Sequence, residues 1–177
     1  MVNRYILKRA GHCQQIRLCE LKILNLHKLL LPLFCIFLFS PSYALDAAEI
    51  RPMAGGGLSN TYVWDGKELK PKSGATLERT WTFNGKELKP KSKAALRNTY
   101  TWNGKELKAK SGASLTNTFA WNGKELKPKS GATLKNTWVY EHGQWRQRSG
   151  TTLGSSWVVT GSIPIPVCGL VILGFVR

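Results

Sequence analysis

The segment WNGKELKPKSGAT at residues 121–133 repeats, with one change, the WDGKELKPKSGAT of residues 64–76. FNGKELKPKSKAA begins at residue 83 and WNGKELKAKSGAS at 102, so one phrase occurs four times at a spacing of nineteen residues. In register, the aromatic before the turn falls at Trp64, Phe83, Trp102, Trp121 and Tyr140. A leucine follows at Leu69, Leu88, Leu107 and Leu126, and Trp145 takes that place in the fifth copy. A second leucine recurs at Leu58, Leu77, Leu96, Leu115, Leu134 and Leu153. Weaker copies flank the strong four: EIRPMAGGGLSNTY at 49–62 aligns with ELKPKSGATLERTW at 68–81, and WVYEHGQWRQRSGTTL and WVVTGSIPIPV continue the beat. Six units run from Glu49 to Ser162. Such a period belongs to stacked or ring-like repeat architectures.

Each strong unit reads as a β-hairpin. Asp65-Gly66, Asn84-Gly85, Asn103-Gly104 and Asn122-Gly123 are the dipeptides of a two-residue type I′ turn, flanked by the strand formers TYVW, TWTF, TYTW and TFAW. That turn pairs Trp64 with Lys67 and Tyr62 with Leu69. Alternation then places Tyr62, Trp64 and Leu69 on one face, and Val63, Glu68, Lys70 and Lys72 on the other. Pro71, Pro90 and Pro128 cannot donate to a ladder, so each is expected to end its strand. The SGATL segments are expected to reverse the chain and drop their leucine into the core. Ordering a hairpin of about ten residues costs on the order of 10–20 kcal/mol of backbone entropy. Burying two aromatics and a leucine returns only about 5–9 kcal/mol. No hairpin stands alone, so the copies exist to bury one another. They form either a closed ring, which removes exposed edges, or an open solenoid with its diverged ends as caps.

The chain of 177 residues carries a formal net charge of +16, room for one domain. Its first 44 residues read as a secretory signal peptide: LLLPLFCIFLF at 29–39 follows Lys22 and Lys28, and Ser42 and Ala44 mark a cleavage site. An uncleaved anchor is the rival, although eleven apolar residues fall short of the ~20 that span a bilayer. The long basic flank also fits a start downstream of Met1, with residues 1–20 not made. Beyond residue 44 there are 20 basic and 9 acidic residues, a net +11, and a single cysteine, Cys168, which rules out an internal disulfide there. The expected domains are 1–44, the hairpin repeats at 45–162, and an Ile-Pro tail with a short apolar segment at 163–177. Pro164 and Pro166 favour an extended IPIPV suited to a closing strand. VCGLVILGFV at 167–176 reads as a helix of ~15 Å that docks against or plugs the assembly, or, if exposed, offers a membrane or partner contact.

The repeated NTW and NTY strings, the aromatic-[DN]-G hairpins, the basic-Pro pairs, the SGAT stretches and the closing SIPIPVCGLVILGFVR resemble the bacterial four-fold β-flower repeat proteins over residues 50–177. That resemblance implies petals set radially about a pseudo-four-fold axis, hence a closed all-β assembly. It implies no activity and transfers no site residues. Where that family often has an aromatic after the basic-Pro pair, this chain has Lys72, Lys91, Lys110 and Lys129.

Chemistry is sparse. His142, the one histidine beyond residue 44, stands where a turn glycine is expected, and its plain reading is a tolerated turn residue. Glu68, Glu87, Glu106 and Glu125 recur singly beside lysines, which suits cross-strand ion pairs better than paired-carboxylate catalysis. The recurring serines suit turn hydrogen bonds. No enzyme activity, metal or cofactor is expected. Five i, i+2 basic pairs stand out: Lys70 and Lys72, Lys89 and Lys91, Lys108 and Lys110, Lys127 and Lys129, Arg146 and Arg148. Aligned by stacking, they form either a solvated face or a binding face for an anionic envelope polymer or glycan. Nucleic acid is not an expected partner of an exported chain. The alternative is an aromatic cage for choline or cell-wall glycan, with Trp102 and Trp121 as its first candidates. The expectation is a non-enzymatic, exported module of periplasm, envelope or medium.

Overall fold

The computed structural model describes residues 47–150 and 152–176; the expected leader at 1–44 lies outside them. Twelve short antiparallel strands close into a barrel. β1 is Ala48–Pro52. Five hairpins follow: β2 (Tyr62–Trp64) with β3 (Glu68–Pro71), β4 (Trp81–Phe83) with β5 (Glu87–Pro90), β6 (Tyr100–Trp102) with β7 (Glu106–Ala109), β8 (Phe119–Trp121) with β9 (Glu125–Pro128), and β10 (Trp138–Glu141) with β11 (Gln144–Gln147). β12 (Ser156–Thr160) completes the ring by pairing with β1, Ile50 opposite Val159. The ring therefore holds six strand pairs rather than the four of a β-flower, because the two ends of the repeat make the sixth pair between them.

Inside the wall, Ile50, Leu69, Leu88, Leu107, Leu126 and Trp145 stand nineteen residues apart and are all fully buried. Each inward leucine lies opposite two aromatics, one from its own hairpin and one from the next. Leu69 faces Trp64 and Trp81, and Leu107 faces Trp102 and Phe119. That is the contact between neighbouring hairpins that the energetic argument requires, made by cross-strand pairs. The expected division of faces holds, and Pro71, Pro90 and Pro128 do end their strands.

The turn lies one residue later than expected. Trp64 pairs with Leu69 and Tyr62 with Pro71, while the Asp65 N–H donates to the Glu68 carbonyl. Gly66, Gly85, Gly104 and Gly123 have φ of 90–98°, and the preceding Asp or Asn does not share that conformation. Its side chain explains the shift. Asp65 Oδ1 accepts hydrogen bonds from the N–H groups of Lys67 and Glu68, as Asn84, Asn103 and Asn122 do in their copies. These residues act as side-chain turn mimics, leaving positive φ to the glycine. Only the fifth hairpin puts two adjacent residues there, His142 at 51° and Gly143 at 76°, the I′ signature. A shift of two in pairing leaves side-chain parity unchanged, so the core survives the correction.

The tail fills the bore. IPIPV is not extended: α1 runs Ile165–Ile172, with Pro164 as its N-cap and Pro166 in its first turn, where a missing N–H costs nothing. Eight residues make it about 12 Å long. Val167, Cys168, Leu170 and Val171 are almost wholly buried, and Gly169 brings the helix backbone against Leu107 and Leu126. β12 ends beside the hairpin turns, so the tail enters there and emerges at the opposite end. There Phe175 stacks on Tyr100 at 4.5 Å and meets Phe119 edge-on, and the Tyr62 hydroxyl donates to the Val176 carbonyl. Among the described residues no helix is long and apolar enough to cross a membrane. Residues Leu45–Arg177 form one compact unit, whose described strands close on themselves around the tail helix.

Candidate functional site: the leucine end and the basic wall

The recurring leucines are not in the core. Leu58, Leu77, Leu96, Leu115, Leu134 and Leu153 are 56–61% exposed. All six lie in the segments joining one strand pair to the next, at the end of the barrel away from the hairpin turns. The expectation failed because the residues after each leucine tie the segment down from within. Thr61, Thr80, Thr99 and Thr137 are buried and donate their hydroxyls to the carbonyl four residues earlier. Asn98, Asn117 and Asn136 span the loop, each donating to a carbonyl five residues earlier and accepting a backbone N–H three residues earlier. In the second copy the Arg79 guanidinium reaches the Gly74 carbonyl instead. Backbone bonds such as Ser73 N–H to the Leu58 carbonyl lock the base of the loop. The Asn-Thr pair claims the loop's inner side, and leucine is left pointing out. That pair was visible in the sequence and was the signal to read.

The basic pairs lie on the outer wall, as alternation requires, and they are mostly engaged. Lys72, Lys91, Lys110, Lys129 and Arg148 each reach back to a glutamate on the preceding strand pair: Glu49, Glu68, Glu87, Glu106 and Glu125, at 2.5–2.9 Å. Lys70 lies 4.0 Å from Asp65, Lys127 lies 3.4 Å from Glu125, and Arg146 pairs with Glu141, which also holds Lys124. Lys89 and Lys108 make no ion pair among the described residues. The hydrogen bond from Lys110 holds the Glu87 carboxyl below its ordinary range, and Lys129 does the same to Glu106. Glu141 is lowered by Lys124 first and Arg146 second. The wall is a ladder of exposed ion pairs linking successive hairpins.

Charge is distributed unequally along the barrel axis. The segments that carry the leucines hold nine Lys or Arg and one acid, Glu78. At the other end each of the four DG or NG turns sets a lysine against a glutamate, with Asp65 in addition. Near the leucine end a cleft of about 380 Å3 is lined by Trp81, Tyr100 and Phe175 together with Glu78, Lys93 and Arg97. Lys93 holds φ 54°, where the equivalent positions of other copies are Gly74, Gly112 and Gly131 at 67–70°.

The aromatics belong to the interior. Trp64, Trp81, Trp138 and Trp145 are buried, and Trp102 and Trp121 are half-buried against the core. Trp121 lies 5.5 Å from Trp145. The Cys168 thiol is pushed up to about 12 by its burial, so it stays protonated and unreactive at neutral pH. No family model, no curated protein and no solved structure matches this chain.

Proposed function

We propose that this chain is an exported, non-enzymatic interaction module of the cell envelope that meets its partner with the leucine end of a rigid barrel. The six outward leucines in one register carry this reading. Single exposed leucines are ordinary, whereas six at one position of every repeat, all at one end of the barrel, make a recurrent apolar surface of the kind that marks an interaction site. The loops that present them are tied by side-chain hydrogen bonds, so little conformational freedom is lost when they are covered. Export rests on the apolar run at 29–39 with its basic flank and small residues. Kinship with the β-flower proteins rests on the repeated strings and the closing SIPIPVCGLVILGFVR.

A second reading, binding of an anionic polymer along the wall, is favoured by Lys89 and Lys108, which lack the ion pairs that engage their neighbours. Co-sedimentation of residues 45–177 with isolated bacterial envelopes separates the two. Loss of binding in Leu77→Ser/Leu115→Ser/Leu153→Ser supports the leucine end. Loss only in Lys89→Gln/Lys108→Gln transfers the function to the wall. No sedimentation of the wild type refutes both.

A further inference from the structure

We propose that the leucine end docks on an anionic lipid bilayer, with the six leucines entering the interface and the basic residues among them facing lipid phosphates. This rests on the reading of that end as the binding face. Three observations select a bilayer. The leucines recur around a closed ring and all belong to one end, an arrangement that addresses an extended surface rather than a groove. Of the nine basic residues in their segments, six are paired with glutamates. Arg79, Arg97 and Lys135 make no ion pair among the described residues, a local excess that complements an anionic surface. The same charge opposes a second copy, since two leucine ends brought together would set like charges face to face.

The two contributions are the ones that govern interfacial binding, apolar burial into the headgroup boundary and attraction of basic groups to anionic lipid. Arg97 and Lys135 directly follow Leu96 and Leu134, so two leucines carry a cation at their side. Lys93 is placed at this end in a left-handed conformation that the other copies assign to glycine. It lines, with Arg97, the cleft that opens beside Tyr100 and Phe175; there Lys93 is paired with Glu78 at 2.5 Å, which leaves Arg97 as the cleft's cation without an ion pair among the described residues. The tail itself is enclosed by the barrel and contributes only its last residues to this end.

The test is sedimentation of residues 45–177 with protein-free vesicles, of phosphatidylcholine alone or mixed with phosphatidylglycerol. Expected is binding to the anionic vesicles that weakens with salt. It falls by at least about tenfold in Leu77→Ser/Leu115→Ser/Leu153→Ser and several-fold in Arg97→Gln/Lys135→Gln. Lys86→Gln/Lys105→Gln, in the hairpin turns at the opposite end, should bind as wild type. Near-UV circular dichroism checks that each variant keeps its fold, and because the substituted side chains are exposed they should. The proposal is overturned if wild type ignores anionic vesicles, if the leucine variant binds unchanged, or if the leucine end instead forms dimers that exclude vesicles. Leucine-dependent binding to envelopes without binding to vesicles would overturn the lipid assignment and leave the module reading standing. Failure on both would remove both.

Discussion

Gly169 and Leu107 offer a direct test of the threaded tail. A Cβ built on Gly169 would lie 3.0 Å from Leu107 Cδ2 and 3.4 Å from Leu126 Cδ2. Gly169→Ala therefore compresses hairpin three against the helix, a strain of about 1–3 kcal/mol offset by about 1 kcal/mol of helix propensity. Leu107→Ala removes a fully buried side chain and should cost about 2–5 kcal/mol through lost transfer energy and a cavity. In the double variant the alanine methyl occupies space the leucine vacated, so both penalties shrink. A favourable coupling of at least about 1 kcal/mol is expected, the size found for residues in direct contact. The assay is urea unfolding of all four proteins of the cycle, with a common slope required before free energies are compared. Additivity within about 0.3–0.5 kcal/mol would mean that the helix does not touch hairpin three, and the plugged barrel would have to be abandoned.

Ending the chain after Ser162 deletes Val167, Leu170, Val171 and the rest of the plug, leaving the ring around Leu69 and Leu107 without its filling. Loss of near-UV circular dichroism and of cooperative unfolding is expected, with retained cooperativity as the contrary result. The Cys168 thiol should resist a thiol reagent at neutral pH until denaturant is added. Its folded value of about 12 lies above the ordinary 9.0, so only the unfolded state releases its proton between them, and stability should fall as pH rises through that window. Glu87, Glu106 and Glu141 are shifted the other way. Their contribution is present above the ordinary carboxylate value of 4.5 and should be lost as pH falls through their lower folded values, a loss blunted by salt in denaturation curves. Lys93→Gly relieves a left-handed lysine and should leave the fold unchanged or up to about 1 kcal/mol more stable, read by urea midpoint. A clear loss would show that the ion pair of Lys93 with Glu78 outweighs the backbone strain.

Much of the architecture was legible because the repeat states it several times. The nineteen-residue beat located the hairpins, and period-two alternation assigned Tyr62, Trp64 and Leu69 to one face. The one-residue error in the turn was harmless to that assignment, since pairing moved by two. The recurring leucines misled because hydropathy alone cannot separate a buried leucine from one held outward. Only the Asn and Thr hydrogen bonds, formed once the loop has folded, decide that.

The order of the strands, their faces and their mutual dependence follow from local chemistry: turn residues, alternation, and hairpins too small to bury themselves. The sequence counts six units and offers the tail as a docked or plugging helix, but the choice of a closed ring through β1 and β12 and the seating of the helix inside it are long-range facts. They depend on whether two chain ends more than a hundred residues apart meet, and on how wide a bore twelve strands enclose. No local pattern encodes that width, yet it is the width that draws the apolar tail inside, because an empty bore lined with leucine and tryptophan would forfeit the contacts the tail supplies. The tail fills the core, and the loop-local Asn and Thr bonds turn the second leucine of each repeat outward; closure then gathers those leucines at one end of the barrel.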